Sequence, residues 1–265
     1  MCKLTINGKQ VTVADNSTIL EAAKSVGIKI PTLCYLEGLS PMGACRVCMV
    51  EVEGRATLVA ACTTPVRENM VVHTNSRKAR EARKVVVELL LSEHEGDCQL
   101  CERSDDCELR QLALELGIRE VRYQGEKPPA MLDTSSVALI RDSAKCIKCR
   151  RCVQVCSEVQ RVGALSAQFR GYHTTIAPAF NDDLESITCV QCGQCAAVCP
   201  VGAIIETSHI EFVLKALDNP QKHVVVQTAP AIRAALGECF GLPPGTLVTG
   251  KMVSALRELG FDAVF

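Results

Sequence analysis

Two β-rich runs open the chain. Lys3–Ile6 and Val11–Val13 flank Asn7-Gly8, a pair that readily takes the left-handed conformations of a tight hairpin turn. Thr18 then stands three residues before Glu21, a capping box that opens a helix, and Gly27 would stop that helix. Strand, turn, strand and helix in this order predict a ubiquitin-like (β-grasp) sheet. Further on the pattern becomes helical. Ala79–Leu91 places Ala82, Val85, Val86, Leu89 and Leu90 on one face, and a second helix near Asp105–Leu116 ends at Gly117. Residues 118–135, with Pro128-Pro129, read as a linker. Residues 136–215 form a pseudo-repeat of cysteine runs. The pattern changes again at the end: His223–Gln227 is a β-rich run, Ala231–Phe240 and Lys251–Leu259 are helical, Gly260 stops the latter, and Phe261–Phe265 reads as a strand. Two strands and two helices are too few for a sound α/β core of their own. Either the tail packs on its neighbours or a partner, or a further domain follows Phe265; the second is the reading adopted.

Composition narrows the chemistry. The 265 residues suffice for two or three ordinary domains, and a net charge of −1 implies no general attraction to nucleic acid or membrane. Seventeen cysteines would need an oxidising compartment if they were disulfides. Met1–Gly8 has no apolar stretch of signal-peptide length, and no apolar run reaches the roughly 18 residues of a membrane span. A cytoplasmic, metal-loaded protein is expected. With aromatics at 3% and no Trp, metal binding would supply part of the folding free energy.

The cysteine spacing says which metal chemistry. Cys146, Cys149, Cys152 and Cys156, then Cys189, Cys192, Cys195 and Cys199, repeat C-x2-C-x2-C-x3-C, the spacing of a two-cluster bacterial ferredoxin. In that pattern the fourth cysteine of each run binds the other run's cluster. One [4Fe–4S] cubane would take Cys146, Cys149, Cys152 and Cys199, and the other Cys189, Cys192, Cys195 and Cys156. Pro200 follows Cys199 as the pattern asks, but Ser157 follows Cys156 and is expected to weaken that turn. Lys145, Lys148, Arg150 and Arg151 around the first run read as a solvated face, the alternative being a modest rise in cluster potential. Cys34, Cys45, Cys48 and Cys62 lie in the β-grasp region and suit a [2Fe–2S] cluster, with a four-cysteine zinc site as the bland alternative. Gly43 and Ala44 would let backbone N–H groups approach the sulfurs. Cys98, Cys101 and Cys107 make three thiolates of a third cubane. His94 is the near candidate for its fourth ligand, against the plainer reading of a surface histidine. Cys2, at a frayed terminus, and Cys239, in an apolar helix, receive no role. Gly245–Lys251 imitates a phosphate-binding loop, but Met252 replaces the required Ser or Thr, so nucleotide binding there is rejected. No catalytic set of nucleophile, base and orienter is apparent.

The order of these motifs resembles three related groups: [FeFe]-hydrogenase catalytic subunits, the large iron–sulfur subunit of respiratory complex I, and NAD-linked formate dehydrogenases. His223–Phe265 looks like the opening of the hydrogenase H-cluster domain, and Gly43–Gly54 (GACRVCMVEVEG) looks like the NAD(P)-linked, multi-subunit, electron-bifurcating hydrogenases. The resemblance implies an α+β multi-domain chain: a β-grasp plant-type ferredoxin (1–75), a small helical domain with a cluster held by one histidine and three cysteines, plus linker (76–135), a bacterial 2[4Fe–4S] ferredoxin-like domain (136–215), and an incomplete start of an α/β H-cluster domain (216–265). It implies one [2Fe–2S] and three [4Fe–4S] clusters, with an H-cluster only in chain beyond residue 265. It also implies an NAD(P)H-binding FMN flavoprotein, a small [2Fe–2S] subunit and ferredoxin as partners. The family's catalytic cysteine motifs are not present, and only Ala229-Pro230-Ala231 matches a part that would approach the H-cluster. The expected role is an electron relay. The alternative is a non-catalytic electron-transfer subunit of a formate dehydrogenase or complex I-like assembly, and a zinc-stapled interaction protein is the third reading.

Overall fold

A computed structural model describes residues 1–124, 127 and 129–265; Pro128 of the expected linker lies outside them. The chain divides into two compact units, Met1–Thr207 and Ser208–Phe265.

The first unit begins with β1 (Cys2–Ile6) and β2 (Lys9–Val13), joined through Asn7 and Gly8, both at positive φ. Asn7 does more than turn the chain. Its side-chain amide donates to Thr74 Oγ1 at 2.7 Å and its carbonyl accepts from the Thr74 amide at 2.9 Å, tying the hairpin to the far end of the domain. The helix α1 (Ile19–Ser25) carries both bonds of the Thr18–Glu21 capping box, and Gly27 follows it at φ 74°. Then come β3 (Met49–Val52), β4 (Val59–Ala60) and β5 (Met70–His73). The sheet order is β2-β1-β5-β3-β4, with β1 parallel to β5 and the other pairs antiparallel. Leu4, Ile6, Val50, Val52 and Val72 alternate onto the face that receives Ile19, Ala22 and Ala23 of α1, and all are buried. Cys2 is not frayed: it pairs with Val13 inside β1 and is buried, because the hairpin register reaches that far.

Two helices follow. The first, α2 (Arg77–Glu93), buries Ala79, Arg83, Val87 and Glu88. The expected face is therefore rotated: Leu89 is exposed, while Val86 and Leu90 are only partly covered. The reason is that two charged residues are buried with partners. Arg83 donates to the carbonyls of Val47, Met49 and Thr74, and Glu88 pairs with Arg122 at 2.7 Å. The second, α3 (Glu108–Glu115), starts three residues later than expected, because Cys107 is its N-cap and the preceding residues belong to the cysteine loop.

The rest of the unit is a small sheet of β6 (Leu132–Asp133), β7 (Leu139–Asp142) and β10 (Ile204–Glu206) in the order β10-β7-β6. Between β7 and β10 lie α4 (Arg151–Gln154), the hairpin β8 (Ser166–Gln168) and β9 (Thr175–Ala177), and α5 (Gln194–Ala197). The two short helices α4 and α5 occupy matching places in the two cysteine runs. After α4 the chain continues into a π-helical turn, Val155–Val159, where a weakened bend was expected. Ser157 keeps the N–H that a proline would lack, and its hydroxyl donates to the Val153 carbonyl at 2.8 Å, so the helix runs on.

The second unit contains α6 (Ile210–Leu217), β11 (Val225–Val226), α7 (Ile232–Ala235), α8 (Thr249–Glu258) and β12 (Ala263–Val264). β11 and β12 pair in parallel through the two-helix crossover. Helix α6 was not anticipated. The helix expected over Ala231–Phe240 is α-helical only for its first turn and tightens to 3-10 over Leu236–Phe240, where Cys239 is exposed. Gly250 and Lys251 sit in the first turn of α8.

Candidate metal centres

The first sulfur site forms where three loops of the β-grasp sheet meet. Cys34 lies between α1 and β3, Cys45 and Cys48 on the turn entering β3, and Cys62 just after β4; all four are buried. Cys48 Sγ and Cys62 Sγ are 3.3 Å apart. Gly43 has φ 60°, and a Cβ there would meet Thr63 Cγ2 at 3.0 Å, so the turn requires glycine. Hydrogen bonding with its sulfur neighbours, Cys45 first and then Cys62, pulls the pKa of Cys34 down to about 2, and a proton shared with Cys62 brings Cys48 to about 7. The donors Cys45 and Cys62 are pushed up in return, with burial adding to the rise. Protons alone thus let the pocket hold part of its possible negative charge. A positive iron core is the kind of group that would let all four sulfurs ionise. Arg83, reaching the carbonyls on either side of Cys48, ties this turn to α2.

The other three expected sets each line a single small cavity. Cys146, Cys149, Cys152 and Cys199 border one. Cys156, Cys189, Cys192 and Cys195 border another. His94, Cys98, Cys101 and Cys107 border a third. The crossed partners Cys199 and Cys156 therefore sit with the opposite run. The runs also repeat in backbone conformation. Lys148 and Arg150 in the first, and Gln191 and Gly193 in the second, hold positive φ at matching positions. Such turns point N–H groups at sulfur: the Lys148 amide lies 3.4 Å from Cys146 Sγ, and the Ala164 amide 3.3 Å from Cys156 Sγ. Burial raises the thiol pKa of Cys146 to about 11 and of Cys149 to about 12. These sulfurs are poor free acids and need a metal to become anions. Among the described residues, no three His, Cys, Asp or Glu donors converge on one ion-sized point. The donor chemistry, soft sulfur ligands gathered around small cavities, fits iron–sulfur clusters.

His94 follows the last residue of α2. Its Nδ1 lies 2.8 Å from the Lys145 carbonyl, so Nδ1 carries the proton and donates, and Nε2 stays free for a metal. Burial lowers its pKa, which keeps the ring neutral. The cations of the first run are not a solvated face. Arg151 is 6% exposed and grips Glu108 at 2.5 and 2.9 Å, Lys148 pairs with Glu93 at 2.8 Å, and Lys145 with Asp142 at 3.2 Å. The bonds to Glu108 and Glu93 join the first cysteine run to α3 and α2, the helices that flank the histidine-containing set. Sequence reasoning also missed Gly202. A Cβ there would lie 2.9 Å from Cys101 Sγ, so Gly202 lets the turn after Cys199 press against the neighbouring site.

Comparison with known proteins assigns these segments. Four family descriptions match in order: a 2Fe-2S iron–sulfur cluster binding domain at residues 1–77, the NADH-ubiquinone oxidoreductase-G iron–sulfur binding region at 83–122, a 4Fe-4S dicluster domain at 145–203, and, at 222–265, the C-terminal domain of the iron only hydrogenase large subunit. The NADP-reducing hydrogenase subunit HndD of Solidesulfovibrio fructosivorans is 53% identical over all of this chain. The chain is thus similar over its whole length to a hydrogenase subunit. Iron hydrogenase 1 of Clostridium pasteurianum is 36% identical, again over the whole chain. The chain spans 46% of the length of each of those two relatives. The G 2 subunit of the NADH-quinone oxidoreductase of Rhizobium meliloti is 38% identical over 77% of the chain and 24% of its own length. A crystal structure of an NAD+-reducing [NiFe]-hydrogenase in its H2-reduced state aligns with a TM-score of 0.73 at 29% identity, over 78% of this chain and 88% of that one. Both 2Fe-2S and 4Fe-4S types of iron–sulfur domain are thus represented among the matches. No helix among the described residues is long and apolar enough to cross a membrane.

Proposed function

We propose that residues 1–265 are the electron relay of an [FeFe]-hydrogenase subunit. The observation that carries the reading is that each of three cavities is lined by a complete four-donor set, beside a fourth set of four buried cysteines. Cys34, Cys45, Cys48 and Cys62 would hold a [2Fe–2S] cluster. His94 with Cys98, Cys101 and Cys107, and the two crossed cysteine sets, would hold three [4Fe–4S] clusters. When bound, these groups supply one-electron storage at successive points along the chain. The protein's own part is to hold and tune them. Buried thiols set the ligands, left-handed turns aim N–H groups at sulfur, and His94 donates from Nδ1 so that Nε2 is left for its cavity.

The functional modules are taken as 1–75, 76–135, 136–215 and 216–265, the last being the start of a domain that would carry the H-cluster. The longer relatives named as NADP-reducing hydrogenase and iron hydrogenase favour hydrogen chemistry coupled to NAD(P)H. The partners proposed are an FMN flavoprotein, a small [2Fe–2S] subunit and ferredoxin, with electron bifurcation as the mode. A reducing cytoplasm suits the free thiols. Anaerobic isolation followed by iron and sulfide analysis and EPR tests the relay. A brown protein with one two-iron signal and several cubane signals is expected; a colourless zinc protein would overturn it. Intact mass of the polypeptide from its source tests the hydrogenase assignment. A mass well above 28.6 kDa, with hydrogen-dependent reduction of the clusters, is expected.

A further inference from the structure

Strand β7 faces two sulfur-lined spaces with alternate residues. Leu139 borders the cavity of Cys156, Cys189, Cys192 and Cys195, and Arg141 borders that of Cys146, Cys149, Cys152 and Cys199. Residues two apart on a strand share a face, so one strand edge offers an apolar wall to one centre and a guanidinium to the other. The two cavities differ in charge. Among the described residues, no Lys, Arg, Asp or Glu lines the Leu139 cavity. The other has Arg141 and Arg150, together with Asp142, whose charge is taken up by Lys145 at 3.2 Å.

Arg141 is unusually placed. It is 2% exposed, and its Nε makes no hydrogen bond. Its remaining polar contacts are long, 3.4 Å to the Ile176 carbonyl and 3.6 Å to Met131 Sδ. Buried Asp133 stands 3.6 Å away as a countercharge, but that carboxylate already accepts from the Ser135 amide and hydroxyl and the Leu184 amide. A buried cation so thinly bonded is costly unless an anion faces it. A thiolate-ligated cluster in the adjoining cavity is such an anion.

We propose that Arg141 makes the Cys146, Cys149, Cys152 and Cys199 centre the electron trap of the pair, reduced before its neighbour. One electron leaves the Cys156, Cys189, Cys192 and Cys195 centre and enters the trap, so the first is oxidised and the second reduced by one unit with no other reactant. The inference rests on the ligand sets proposed above. The trap is also well placed for entry. Lys145, whose carbonyl accepts from His94, is the residue covalently joined to Cys146.

Potentiometric EPR titration of the loaded chain tests this, with Cys149→Ser and Cys192→Ser assigning each signal. In the unaltered protein the Cys146-set signal should appear at the higher potential. Arg141→Gln should raise the oxidised-to-reduced ratio of that centre at least tenfold at fixed potential, about 59 mV for one electron. The neighbouring signal should stay in place, and Arg141→Lys should restore most of the difference. Should Arg141→Gln fail to load, Asp133→Asn decides instead: leaving the guanidinium uncompensated, it should move the same midpoint upward. Equal midpoints in the unaltered protein, equal shifts of both signals, or an unmoved midpoint in Asp133→Asn would each overturn the proposal. Absence of either cubane signal in the unaltered protein would fail the ligand sets instead.

Discussion

Arg83 is the place where one substitution should separate the β-grasp sulfur site from the helix behind it. Its guanidinium donates at 3.1 Å to Val47, 3.2 Å to Met49 and 3.2 Å to Thr74, so one side chain serves three carbonyls, two buried and that of Met49 partly so, with Val47 and Met49 on either side of Cys48. Burial opposes the charge and lowers the Arg83 pKa, while the nearby Cys48 sulfur favours it. Methionine would keep much of the stem and lose the fork. Leaving three carbonyls unpaired at about 1 kcal/mol each, the low end for buried groups, gives a loss of about 3 kcal/mol. With a urea slope of about 2 kcal/mol/M for a unit of this size, the midpoint should fall by about 1.5 M. The assay is anaerobic urea titration of the loaded chain, followed by the visible circular dichroism of the two-iron site. Arg83→Lys keeps the charge without the fork and should fall about halfway. A shift below about 0.5 M for Arg83→Met would refute the reasoning, because the carbonyls would then have found other donors.

Other expectations follow from the same geometry. Cys156→Ser should deplete the centre held by Cys189, Cys192 and Cys195 and spare the one of its own run, as read by EPR of the two cubanes. Gly202→Ala should leave the β-grasp signals unchanged and lower occupancy of the His94 site, because its Cβ would stand 2.9 Å from Cys101 Sγ; iron content and the signal of that site check it. Thr18→Ala removes one side of the capping box and should cost about 1 kcal/mol of α1 stability in the same urea titration. In the metal-free chain, acid should cost stability through His94. Burial lowers the folded pKa of His94, so the unfolded chain binds the proton first. Stability is therefore lost as pH falls from about 6.5, the unfolded value, toward the lower folded one, and the urea midpoint of the metal-free chain against pH measures it.

What the sequence disclosed was local. Cysteines three residues apart declare their own neighbourhood, as do Asn7-Gly8 at a turn and Thr18 with Glu21 at a helix start. The grouping of Cys199 and Cys156 with the opposite runs also follows from the two runs repeating each other. What it hid depends on distant partners. Arg83 and Glu88 look like the polar side of α2 until their partners, at Val47 and Arg122, are in place. Arg141 looks like one polar position of an alternating strand, and Arg151 like part of a wet basic patch, until β6 and Glu108 close over them. Ser157 illustrates the smaller scale. A missing proline implied a weaker bend, yet a chain free to donate its N–H simply extends its helix. Helix α6 was overlooked because its apolar stretch adjoins the cysteine repeat and was counted with it.

The exchange of Cys156 and Cys199 between cavities bears on how the protein is made. A ribosome delivers Cys146, Cys149 and Cys152 together, but their cavity stays open on one side until Cys199 emerges. At the usual pace of synthesis that wait is about 3–10 s. During it, three thiols stand ready without their fourth, while Cys156 waits alone for the second run. Neither centre can be finished on the nascent chain before the other has nearly all its ligands. Maturation is therefore expected to be a single late event in which both runs fold around iron at once. A chain released before Cys199 would carry an unfinished centre exposed to oxidants.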